Sequence, residues 1–283
     1  MIQKVFLVDA LVDGPFSGSP TSVFFLESPL ERFKMASLAG ELGSPESVYV
    51  LPHGEAFLLR FFTPLMELKA GVHAAQAAAH LIYELGVRPP TVPLLFLTLE
   101  GELKSRFHPP NYCSLELVSE KFRELDPAER ELYAPMLGLD PKDALWGVLT
   151  SGNIAVLRVP DYASLKKLVP VQSELLKAAV QGVAATSPGK QGGDCDYYLR
   201  SFRPKVGVPE EHVGGGIHRS LAHYWGKLLN KTSLVSRQLS KRGGLVSLEV
   251  GDPAKVVFKG KARTILRSDV IQESLVLPPA FSA

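Results

Sequence analysis

Two turns of the same make, Gly71-Val72-His73 and Gly216-Ile217-His218, each precede a helical stretch. A helix that begins at a glycine-rich turn points unsatisfied N–H groups and the positive end of its dipole outward, which suits a carboxylate. Gly71 and the run Gly214-Gly215-Gly216 lack a Cβ and let backbone approach a ligand closely. The ionisable candidates near these turns are Glu46, Glu67, His73, Glu210, Glu211, His212 and His218. Proton transfer needs a carboxylate or imidazole facing an apolar, water-poor cleft. Glu46 fits best, because it follows a helix-ending Gly43 and opens the apolar run Ser47-Val48-Tyr49-Val50, where burial raises proton affinity. The plainer alternatives are a surface glutamate, a His73 that only caps its helix, and a solvated Glu211-His212 loop.

Other chemistries find little support. Cys113 and Cys195 are far apart and read as buried small hydrophobes. On a helix, the seven-residue step from His73 to His80 is ~10 Å, too long to share a metal, and His218 and His223 miss the i,i+4 pairing. No metal site is expected. The triple glycine lacks the Gly-Lys-Ser/Thr of a phosphate loop, and no Gly-x-Ser-x-Gly elbow exists. Lys+Arg 31 against Asp+Glu 29 leave a scattered charge of +2, so nucleic acid is a poor partner. The start has no signal-peptide pattern and no apolar run nears the ~20 residues of a membrane span. These features imply a cytoplasmic protein with no membrane partner.

The elements that must position these residues follow from periodicity and breakers. Strands are expected at 4–9, 22–26, 47–51 and 56–63, and at 94–99, 102–107 and 112–118. Ser28-Pro29-Leu30-Glu31 reads as a capping box opening a helix that Gly43 closes. Residues 74–85 form a helix apolar on all sides, hence buried, with Gly86 at its end. A buried helix among hairpin-linked strands suggests a curled sheet wrapped round it. Residues 119–131 read as a polar helical crossover. Beyond it the plan repeats, with strands at 144–149, 154–159 and 180–186, a helix near Asp161 and another segment at 174–179. Arg60-Phe61-Phe62-Thr63-Pro64 is echoed by Arg200-Ser201-Phe202-Arg203-Pro204; each is followed by an acid, a Gly-Val/Ile-His turn and a helix. So many coincidences in one order imply duplication. With 283 residues, 46% of them hydrophobic, two cores can be filled: an N-terminal lobe at 1–118, completed by a C-terminal strand, and a lobe at 119–283.

At this point the chain resembles the PhzF family of phenazine-biosynthesis-like isomerases, which share the diaminopimelate epimerase fold. The resemblance runs through Gly14-Pro15-Phe16-Ser17-Gly18-Ser19-Pro20, Pro45-Glu46-Ser47, Arg60 to His73, Phe202-Arg203-Pro204, Val208-Pro209-Glu210-Glu211, His218, Tyr224-Trp225 and Gln238 to Gly244. It implies an α+β fold of two pseudo-symmetric lobes, each a barrel-like mixed sheet around one helix, and a homodimer. It also implies cofactor-free acid/base chemistry on a small carboxylated substrate. Glu46 would move the proton, assisted by His73 and by Glu211 at the family's aspartate, with Ser19, Gly71, Val72, Gly214, Gly215, Gly216 and His218 binding substrate. The chain departs from the family's usual residues at Ser19, Val72, Ala75, Glu211, Gly214 and Gly216, losing hydroxyl donors at the cleft. A non-catalytic binding or scaffold protein is therefore the rival reading, and a structural dimer with a vestigial cleft a third. Two-cysteine racemisation is excluded, because neither helix start carries a cysteine.

Overall fold

In the computed structural model, which describes residues 2–270, the N-terminal strands are β1 (Ile2–Ala10), β2 (Ser19–Leu26), β3 (Glu46–His53), β4 (Ala56–Phe62), β5 (Glu67–Leu68), β6 (Leu94–Thr98), β7 (Gly101–His108) and β8 (Tyr112–Val118). The second set is β9 (Phe122–Glu124), β10 (Trp146–Thr150), β11 (Ile154–Arg158), β12 (Gly182–Pro188), β13 (Tyr197–Phe202), β14 (Ser233–Gln238), β15 (Gly244–Glu249) and β16 (Lys255–Ser268). The helices are α1 (Arg32–Leu42), α2 (Val72–Glu84), α3 (Pro127–Tyr133), α4 (Tyr162–Lys166), α5 (Gln172–Lys177) and α6 (His218–Leu229).

The long β16 joins the halves. Residues 255–261 pair with β8, residues 262–268 with β1, and Val257 to Lys259 also with β15. The order β1-β2-β3-β4-β6-β7-β8-β16 thereby returns to β1, a closed barrel around α2. Closure explains the helix's composition. Ten of its thirteen residues are buried, and its one fully buried polar side chain, Gln76, donates to the Cys113 and Gly260 carbonyls. The second lobe runs β16-β15-β14-β13-β12-β11-β10-β9 with no return pairing among the described residues. Helix α6 accordingly keeps a polar face, including Arg219, His223 and Lys227.

Duplication is written into the topology. Parallel pairs β2–β3 and β11–β12 are each bridged by helix, antiparallel β3–β4 matches β12–β13, and parallel β4–β6 with α2 between matches β13–β14 with α6 between. Ser47 stands opposite Phe62 and Val183 opposite Phe202, so Glu46 corresponds to Gly182 and Thr63 to Arg203. Even an ion pair repeats: Arg60 holds Glu67, and Arg200 holds Glu210 at 2.8 Å. The acid after each Arg-x-Phe-x-Pro is thus the partner of that arginine.

Two local expectations fail. Helix α1 begins at Arg32 with Glu31 as N-cap and no side-chain cap, so the Ser28 capping box does not form. Leu30 instead packs with the small core around Phe24, Met35 and Tyr49, which keeps Pro29-Leu30 outside the helix. The 119–131 stretch is not one helix either. Phe122–Glu124 is an edge strand on β10, with Phe122 against Trp146, and α3 starts only at Pro127 behind an Asp126/Glu129 capping box. No helix among the described residues is long and apolar enough to cross a membrane. The tail from Ile271 to Ala283 lies outside the described residues.

Candidate active site

Glu46 is the first residue of β3, and its side chain is buried where that strand meets the start of α2. Gly71 is the N-cap of α2, and a Cβ there would sit 1.5 Å from Glu46 Oε1, so only glycine lets the carboxyl occupy this place. His73 Nε2 stands 3.1 Å from Glu46 Oε2, out of line for a hydrogen bond; Nε2 and Oε1 are both buried without partners. A buried carboxyl with an unsatisfied oxygen is costly as an anion. Burial accordingly pushes Glu46 up from 4.5 to about 8, against the pull of Arg203 and with a further push from Glu211. Burial also holds the His73 imidazole neutral, lowering it from 6.5 to about 4, against the pull of Glu211 upward.

The second lobe supplies the opposite case. Arg203 Nη1 donates to Glu211 Oε1 at 3.1 Å. Burial alone would raise Glu211, but the Arg203 charge and hydrogen bond outweigh it, with help from the nearby Ser201 hydroxyl, and the net shift is downward. Gln238 fixes the loop, donating to the Glu211 carbonyl at 2.7 Å and accepting from Gly214 N–H at 2.9 Å. Two carboxyls therefore share one cleft with proton affinities driven apart, the pattern of an acid/base pair. The cleft is lined by Ser19, Glu46, Thr63, His73, Arg203 and Glu211, among others, and encloses ≈ 20 Å³, room for about one water. Ser19 is held there by Arg242, which donates to the Gly18 carbonyl at 2.9 Å and pairs with Asp9 at 2.8 Å.

Of the expected residues, the structure brings together Glu46, His73, Glu211 and Ser19, with Gly71 and Gly214 directly behind the two carboxyls. A Cβ at Gly214 would lie 2.5 Å from Glu211 Oε2. The glycines thus make room for the protein's own carboxylates as much as for a ligand. Val72 and Gly215 pack on each other, a Gly215 Cβ falling 2.3 Å from Val72 Cγ1, and Gly216 is exposed with nothing within 4 Å. His218 is not on the cleft wall. It is fully buried, and its Nδ1 is 2.6 Å from the Tyr197 hydroxyl. The start of α6 is also less open than the start of α2, because His218 and Arg219 N–H donate to Gly215 and Gly216 carbonyls. Arg203 is a cleft residue that sequence spacing does not flag. The available signal was its place in the echo, where the first copy has Thr63.

Fold and cleft together define a two-lobed α+β protein whose lobe junction carries a neutral-leaning glutamate, a neutral imidazole and an arginine-bound glutamate. Residues 8–268 match the family described as phenazine biosynthesis-like protein, PhzC-PhzF. An uncharacterized isomerase of Halalkalibacterium halodurans is 30% identical over 274 residues, 96% of this chain and 99% of the relative. A crystal structure of a PhzF-family phenazine biosynthesis protein from Enterococcus faecalis superposes with a TM-score of 0.83 at 27% identity, over 96% of this chain and 100% of that one. A hydroxyproline epimerase from Agrobacterium vitis, crystallised with trans-4-hydroxy-L-proline, shares the fold at a TM-score of 0.64 and 14% identity, over 95% and 91% of the chains. The chain belongs to the phenazine biosynthesis-like family, whose fold is of the diaminopimelate epimerase type, and isomerase-type activity is the general class that this membership supports.

Proposed function

We propose that the protein is a cofactor-independent isomerase that shifts a proton within a small carboxylated substrate, with Glu46 as the proton carrier. The carrying observation is the split of the two cleft carboxyls, Glu46 pushed up to about 8 by burial and Glu211 held down by Arg203. A base with proton affinity near the working pH combines availability with strength. At pH 7 roughly one-tenth of Glu46 is ionised. That carboxylate takes a proton from a substrate C–H, leaving an enolate-like anion beside the carboxylate group. The proton held on Glu46 exchanges with solvent, and Glu46 then delivers a proton to another carbon. Neutral His73 can hydrogen-bond substrate or Glu46 without competing for the proton. Glu211 stays ionised, and its charge adds to the burial that makes Glu46 a stronger base. The helix α2 start, whose first N–H groups are the more open of the two, faces the developing charge. The small carboxylate seen by the Agrobacterium vitis neighbour in the same fold supports this substrate class.

The test is solvent-deuterium incorporation into a panel of small cyclic and unsaturated carboxylic acids, wild type against Glu46→Gln. The proposal requires exchange that the substitution removes. Exchange that survives Glu46→Gln sinks the role of Glu46. A binding-only protein is the second reading, favoured by the hydroxyl donors lost where Ala75, Gly214 and Gly216 stand; it requires binding without exchange. We also propose that the protein is a cytoplasmic homodimer. Sedimentation velocity checks the assembly, and a monomer at micromolar concentration contradicts it.

A further inference from the structure

Among the described residues, Arg203 is the only arginine or lysine lining the cleft. It occupies the position that Thr63 holds in the first lobe, and it has room there because its strand neighbour is Gly182, where a Cβ would fall 2.7 Å from Arg203 Cγ. Among the described residues its guanidinium makes one hydrogen bond, Nη1 to Glu211, and Nε–H is buried with no acceptor. A planar guanidinium is built for two parallel bonds to a carboxylate, and an unsatisfied buried N–H is costly to leave. The turn at the start of α6 does not offer an equal site, since its amides are partly satisfied within the turn and Gly216 faces solvent. A ligand anion entering the cleft therefore meets one cation with donors to spare.

We propose that Arg203 reads the substrate's carboxylate and restricts the site to monocarboxylates. This rests on the function proposed above and names the residue and the class. The incoming carboxylate takes the free edge of Arg203 while Glu211 keeps Nη1, and the arginine then serves two anions. A second ligand carboxylate would find no cation on the cleft wall, beside an ionised Glu211, and is rejected by like charge.

Calorimetric titration at pH 7 tests this with benzoate and trans-4-hydroxy-L-proline as probes, each against its carboxamide, and with isophthalate as a diacid. Wild type should favour acid over amide by about 10–100-fold, the worth of a charge-assisted hydrogen-bonded pair, and should bind isophthalate more weakly than benzoate. Arg203→Met should bring the acid-to-amide ratio to about 1, and Arg203→Lys should recover only part of it, keeping the charge without the fork. Because Arg203→Met leaves Glu211 buried without a partner, the pair Arg203→Met/Glu211→Gln is measured alongside, and it should fold and also lack discrimination. A ratio unchanged by Arg203→Met, isophthalate bound as well as benzoate, or no binding of either acid to wild type at millimolar concentration overturns the proposal. Arginine-dependent binding without deuterium exchange would sink the isomerase reading alone, and exchange with an arginine-independent ratio would sink this one alone.

Discussion

At the first residue of equivalent strands, one lobe has Glu46 and the other Gly182; just past the end of the partner strands, one has Thr63 and the other Arg203. The frame around them is the same, down to the Arg60–Glu67 and Arg200–Glu210 pairs that pin each loop. The first lobe thus spends its close approach on a buried acid, with Gly71 clearing space for the Glu46 carboxyl. The second spends it on a cation, with Gly182 clearing space for Arg203. Duplication built two copies of one scaffold, and a few changes of residue size at matched positions gave the copies opposite charge roles.

The sharpest way to break this contrast is to remove the acid. Glu46→Gln should lower deuterium exchange by roughly 10²–10⁴-fold, the range for general acid–base groups. The turns come next. A methyl at Gly71 collides with Glu46 Oε1, so Gly71→Ala should destabilise by about 1–3 kcal/mol and cut activity with it. The matching Gly216→Ala meets nothing within 4 Å and should stay within about 0.5 kcal/mol of wild type in urea denaturation. Equal effects at the two turns would erase the asymmetry.

Smaller effects appear in pH dependence. The folded Glu46 carboxyl sits at about 8 against an ordinary 4.5, so its favourable burial as a neutral group is full below 4.5 and is lost as pH rises through 8. Glu46→Gln should therefore raise the melting temperature at pH 8 and lose that advantage by pH 4.5. His73 and His218 act in the other direction. Both are held neutral at about 4 against 6.5, so the stability they allow is present above 6.5 and falls as pH drops toward 4. His218→Gln should blunt the acid limb of the melting profile. The smallest expected effect separates the two loop pairs. Arg200 is more buried than Arg60 and also donates to the Leu168 carbonyl at 2.9 Å, so Arg200→Ala should cost about 1–2 kcal/mol more than Arg60→Ala.

Much of this was legible in the chain. The buried helix α2 announced itself by having almost no polar face, and the echoed Arg-x-Phe-x-Pro segments announced the second lobe. Glu46, His73 and Glu211 meet in one cleft as their motifs implied. What spacing could not carry was depth. His218 shares its turn with His73, yet Tyr197 stands where the first lobe has Phe57, and its hydroxyl draws His218 inward, away from the cleft wall. Nor could it assign Arg203, because an arginine in an echo reads as drift until the register places it opposite Gly182. The Ser28 capping box failed for a similar reason, since the half-buried Leu30 packs against the core around Phe24, Met35 and Tyr49 rather than joining α1.

The central claim is that one cleft holds a carboxyl near neutrality and another firmly ionised. Site-resolved ¹³C NMR titration of the two glutamate carboxyls tests it without a substrate. The account predicts that the Glu46 signal titrates near 8 and that Glu211 titrates below its ordinary 4.5. A Glu46 midpoint near 4.5, or a Glu211 midpoint above that of Glu46, would contradict it.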